Sequence, residues 1–127
     1  MNWQPNWEPV VIDEGGLLDA IADCRMAIAA IEEGRASLNP YLARAQQDWE
    51  GPARLDFDDH LASFDRQIGA AIAELQQACL GFQREIAEAH QEQARRHAQQ
   101  EQWRAERAVE LAKEAAAEQA RRMATAN

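Results

Sequence analysis

Gln46-Gln47-Asp48-Trp49-Glu50-Gly51-Pro52-Ala53 (residues 46–53) interrupts a chain otherwise built from helix formers. Glycine after a helix favours a left-handed C-terminal cap, because it has no Cβ to oppose positive φ. Proline is tolerated at the start of the next helix, where its missing N–H would have no partner anyway. The stretch predicts one helix ending near Trp49, a turn over residues 49–52, and a second helix from about Pro52.

The pattern on either side agrees. Upstream, Leu17, Ile21, Cys24, Ile28, Ile31, Leu38, Leu42, Ala45 and Trp49 recur in alternating steps of four and three, with Arg35 holding one place. Downstream, Phe57, Leu61, Phe64, Ile68, Ile72, Leu75, Cys79, Phe82, Ile86 and Ala89 do the same, with one stutter at Ile68. Such a period marks a helix packed along a single stripe. The two seams also match each other. Leu17/Ile86, Ile21/Phe82, Cys24/Cys79, Ile28/Leu75, Ile31/Ile72, Arg35/Ile68 and Leu42/Leu61 share one antiparallel register, centred between residues 51 and 52. One register centred on an independent turn signal predicts an all-α antiparallel helical hairpin over residues 14–89.

Local chemistry fits the frame. Asp13 is the expected N-cap of the first helix. Asp56, Asp58 and Asp59 complement the dipole at the start of the second. Gly34 weakens the first helix, and Pro40 is expected to bend it near Asn39.

Both flanks differ from the hairpin. In residues 1–13, Trp3, Pro5, Trp7 and Pro9 alternate, which excludes a helix and predicts an extended arm packed through its tryptophans. In residues 90–127 the apolar anchors thin to Trp103, Val109 and Leu111. That charged tail reads as a helix overhanging the hairpin or as a partly disordered segment.

Composition narrows the function. The 127 residues hold 13 Lys plus Arg against 22 Asp plus Glu, a net charge of -9, which disfavours duplex nucleic acid and anionic lipid as partners. No apolar run approaches the roughly 20 residues of a membrane span. Met1-Asn2-Trp3-Gln4-Pro5 has neither the basic region nor the apolar core of a Sec-type signal peptide.

Chemistry-bearing clusters are sparse. His60, His90 and His97 lack the spacing of metal ligands, and no glycine-rich phosphate loop or nucleophile elbow occurs. Glu32-Glu33 and Asp58-Asp59 are adjacent helical residues that point apart. Arg95-Arg96 and Arg121-Arg122 are interleaved with glutamate. The expectation is a protein that is not an enzyme and uses neither cofactor nor metal.

A second stripe of small residues lies outside the seam. It comprises Leu18, Ala22, Ala29, Ala36 and Ala43 on the first helix, and Ala62, Gly69, Ala73, Leu80 and Ala87 on the second. Small side chains let another helix approach, and an isolated two-helix hairpin has little core, so a homodimer or heterodimer is expected. Helix propensity alone is the other account of the alanines.

Trp49 has two readings. It ends the seam of the first helix as a core residue, or it offers a large apolar face and an indole N–H to a partner at the hairpin tip. With Gly51 two residues on, it forms a Trp-x-Gly tip. Glu33-Gly34-Arg35-Ala36-Ser37-Leu38 precedes it, Gly51-Pro52-Ala53 and Phe57 follow it, and Val11-Ile12-Asp13 opens the first helix. In this frame the chain resembles the WXG-motif family of small type VII (ESX) secretion proteins over roughly residues 10–95, and the Val11-Ile12-Asp13 opening is similar to that of many actinobacterial relatives.

The resemblance implies a helical hairpin that pairs with a second hairpin into a four-helix bundle. It implies export by a non-Sec route after a cytoplasmic stage, and recognition by a membrane secretion ATPase through Trp49, Gly51 and a helical tail. The family's export signal, Tyr-x-x-x-Asp/Glu after the second helix, has no match. The sole tyrosine is Tyr41 in the first helix, followed four residues on by Ala45. Trp103 would stand in for it, but Arg107 occupies the acidic position. The resemblance therefore implies either co-export with a partner that carries the signal, or a cytoplasmic role as partner or chaperone. A generic cytoplasmic coiled-coil scaffold is the rival reading. Finally, Cys24 and Cys79 fall opposite each other in the register, which makes them a candidate disulfide pair.

Overall fold

A computed structural model describes residues 1–126; Asn127, the last residue of the 90–127 tail, lies outside the described residues. Helix α1 spans Glu14–Asp48 and helix α2 spans Gly51–Ala126. The chain is all-helical apart from the arm and the turn, and its two helices form a hairpin. It divides into two compact units, one of residues Asp13–Ile86 and one joining Met1–Ile12 to the later part of α2. No helix among the described residues is long and apolar enough to cross a membrane.

The Asp13–Ile86 unit is the hairpin proper. Its first helix is nucleated as the sequence requires: the Asp13 side chain accepts from the Gly16 N–H at 2.9 Å, and Leu17 N–H donates to the Asp13 carbonyl at 3.1 Å. Gly16 is needed there, since a Cβ would collide with the Asp13 carboxylate.

The predicted stripes turn inward. Leu17, Cys24, Ile28, Ile31, Leu42 and Ala45 on α1 are half-buried, and so are Phe57, Leu61, Ile68, Ile72, Leu75, Phe82 and Ile86 on α2. Only Ile21 and Cys79 among the described hydrophobic residues are buried, and neither completely. Two parallel rods can enclose the line of closest contact and little else, so the seam is narrow.

Leu38 and Phe64 belong to the seam pattern yet stay about 40% exposed. Both neighbour a polar crossing. Arg35, the placeholder of the apolar series, donates through Nε and Nη2 to the two Asp65 carboxylate oxygens, and through Nη1 to Asn39 Oδ1. The Arg35 guanidinium holds the Asp65 carboxyl below its usual range. Pro40 stands inside α1, which continues to Asp48.

The second unit is built differently. The arm of residues 1–12 runs extended along α2, and one face of that helix reads the arm's backbone. Val10 N–H donates to Gln93 Oε1 at 2.9 Å, and Arg96 Nη1 donates to the Glu8 carbonyl at 3.0 Å. Gln100 Nε2 donates to the Asn6 carbonyl at 2.8 Å, and Trp103 Nε1 donates to the Trp3 carbonyl at 3.1 Å. Positions 93, 96, 100 and 103 share one helical face, so the four side chains form a ladder. Trp3 Nε1 donates to Glu106 Oε2 at 2.8 Å, and Pro5 of the arm is buried. The ladder is braced by Glu92, whose carboxyl is held down at about 2 by hydrogen bonds from Arg95 and Arg96. Residues 90–126 are helical, and the arm's hydrogen bonds reach along them as far as Glu110.

Candidate recognition site

The turn is set by three local devices. Trp49 leaves α1 in an extended conformation, with φ -105° and ψ 138°. Gly51 takes φ +64°, the left-handed region that a side chain opposes. Arg54, on the first turns of α2, donates its Nη1 to the carbonyl of Gln46, one of the α1 carbonyls left without a helical partner. The same guanidinium donates Nε to both Asp58 oxygens at 3.1 Å, and Gln46 Nε2 reaches Asp58 Oδ1 at 3.3 Å.

On this frame Trp49 is 45% exposed. Its ring meets Phe57 edge to face, with centroids 4.7 Å apart and planes at 83°. That contact fixes the indole's direction without enclosing it. The indole N–H makes no hydrogen bond among the described residues, which leaves both its donor and much of its apolar face open. A Trp in the middle of a core has neither property. The arrangement is suited to binding another surface.

Trp103 lies in the other unit and is otherwise engaged. Its N–H is spent on the Trp3 carbonyl, and its ring takes the edge of Trp7 at 5.3 Å and 89°. Arg104 lies over the Trp7 ring at 5.4 Å from its centroid. Trp103, the residue offered as the substitute for a signal tyrosine, is half-buried and holds the arm.

Cys24 and Cys79 are brought together as the register requires. Cys79 Sγ donates to the Ile21 carbonyl at 3.6 Å, one turn from Cys24 on the same face of α1. Both are free thiols. Burial pushes the Cys24 thiol up, and the neighbouring Cys79 sulfur adds to the effect. Among the described residues, no group of three or more His, Cys, Asp or Glu side chains is placed to hold a metal ion.

Sequence reasoning did not single out Arg54, Gln46, Gln93 or Gln100. The Arg54–Asp58 spacing of four was a legible signal for the first. Nothing in the spacing of the glutamines announced that they would donate to, and accept from, a distant extended segment.

No protein family, no curated protein and no solved structure matches the chain.

Proposed function

We propose that the chain is a non-enzymatic type VII (ESX) secretion protein of the WXG kind, an exported substrate or co-exported partner that acts by pairing with a second helical hairpin. The single observation that carries this reading is the state of Trp49. It is a half-exposed tryptophan with an unspent N–H, locked by Phe57 at a turn whose Gly51 has positive φ. The thin seam supports the need for a partner, because Ile21 and Cys79 are the only hydrophobic residues buried among those described. Recognition by the secretion ATPase would use Trp49 and Gly51.

The rival reading, a cytoplasmic coiled-coil scaffold or a chaperone for another exported protein, draws on one observation. Trp103 is committed to the arm, and no Tyr-x-x-x-Asp/Glu signal accompanies it.

Trp49→Ala separates the two. Under the secretion reading it abolishes export or partner binding while costing about 1 kcal/mol, well below the roughly 3–5 kcal/mol of a central aromatic. Export measured in a type VII-competent host, beside chemical denaturation of the purified variant, gives both numbers. Undiminished export, or a variant that unfolds outright, would sink the reading. Sedimentation of the purified chain provides the second check: a folded monomer at micromolar concentration that acquires no hairpin partner is the outcome against pairing.

A further inference from the structure

The two cysteines of this chain come from different helices and meet inside the seam. Cys79 is 8% exposed and Cys24 is half-buried. Cys79 Sγ touches the Ile21 carbonyl, one turn before Cys24 on the same face of α1. The two thiols therefore enter the seam at one level from facing helices, the placement that an interhelical bond of about 2 Å requires. Cys79 also lines a surface groove of about 370 Å³ with Arg25, Ile28, Gln76, Leu80 and Gln83. The groove marks where the seam is thinnest beside Cys79, while Cys24 is itself partly open to solvent.

We propose that Cys24 and Cys79 are a redox dithiol, which a low-molecular-weight disulfide oxidises to an interhelical disulfide and a dithiol reductant reopens. Cys24 is the less enclosed of the two and reacts first. Its thiolate attacks one sulfur of the reagent, whose S–S bond breaks, and the departing thiolate takes up a proton. Cys24 then carries a mixed disulfide. Cys79 gives its proton to solvent and attacks Cys24 Sγ, expelling the second reagent thiolate. Two cysteine thiols have lost two electrons and two protons, and the reagent disulfide has become two thiols.

The closed bond ties α1 to α2 across 54 intervening residues, so the unfolded chain loses freedom and the hairpin cannot open at that level. In a reducing compartment the thiols persist, and in an oxidising one the bond closes. This inference stands on the placement of the two cysteines at one level of the seam and is independent of any role in secretion.

The test uses the full chain, reduced, freed of reductant and incubated with oxidised glutathione. Both thiols should disappear from titration together. The intact mass should fall by two hydrogens with no glutathione attached, and the protein should run as a single chain on a non-reducing gel. Its melting temperature should rise by several degrees and return on addition of dithiothreitol. Cys79→Ser should stop at a glutathione adduct on Cys24, whereas Cys24→Ser should keep its one thiol at least ten times longer. Glutathione on both cysteines of the wild type, a disulfide between chains, or thiols that react only after denaturation would overturn the proposal. Should either serine variant fail to fold, the wild-type mass and gel decide alone.

Discussion

The two halves of α2 hold their neighbours by opposite means. Within Asp13–Ile86 the helix meets another helix, and the contact is a row of aliphatic and aromatic side chains. From Gln93 to Glu106 it meets an extended arm, and the contact is a row of amide, guanidinium and indole groups aimed at the arm's backbone. The cause lies in the partner. A helix satisfies its own N–H and C=O groups, so only its side-chain stripe remains to be buried. An extended arm outside any sheet has few internal partners, here Glu8 N–H to Asn6 Oδ1, and a helix packed on it must supply the others. The lesson is that a polar face on a helix is as specific as an apolar one when the partner is extended backbone.

The sharpest way to break the contrast is to cut each adhesive separately. Ile21 is 5% exposed, so Ile21→Ala should destabilise the hairpin by about 2–4 kcal/mol, through lost transfer energy and the cavity left behind. Chemical denaturation measures it, and a loss under about 1 kcal/mol would mean that the seam is not what holds the hairpin.

Trp103→Ala removes both the donor to the Trp3 carbonyl and the ring under Trp7. Because Trp103 is only half-buried, about 2 kcal/mol of arm docking is expected to go. The arm should become sensitive to protease within residues 1–12, while amide exchange across 17–86 stays slow. Equal loss of protection in both units would show that they are one cooperative block.

Glycines at the two kinds of position sharpen the comparison further. Gly51→Ala places a side chain at φ +64°, which should cost about 1–2 kcal/mol. Gly34→Ala meets nothing within 4 Å and should stabilise α1 by about 0.5–1 kcal/mol. Thermal melts of the two variants should move in opposite directions.

The smallest effect is on pH. Glu92 has its carboxyl lowered from 4.5 to about 2 by Arg95 and Arg96. A depressed acid stabilises the fold while ionised, so its contribution is whole above pH 4.5 and is lost as pH falls through about 2. Arm protection should therefore decline in that window in wild type, and Glu92→Gln should flatten that part of the profile. An unchanged profile would show that the ion pairs are spectators.

Much of the hairpin is legible in the amino-acid sequence alone. Alternating steps of four and three, the Gly51-Pro52 break and the Asp13 cap are local signals, and helices are made of local contacts. Register follows from them, because two stripes that flank one turn have only one way to match. The opposition of Cys24 and Cys79 is legible on the same ground, and so is the position of Trp49 at the tip.

What only the tertiary structure decided depends on contacts between residues far apart in the chain. It settled that Trp49 leans on Phe57 with its N–H unspent, and that Arg35 crosses the seam to Asp65. It also settled that residues 90–126 continue as helix beneath an arm some 100 residues earlier in the chain. Amide side chains carry no periodic apolar signal, so Gln93 and Gln100 read as solvated residues until the backbone they bind is laid beside them. Hydrophobic pattern reports which face is buried; it is silent on which polar groups will find each other, because that depends on geometry assembled from both ends of the chain.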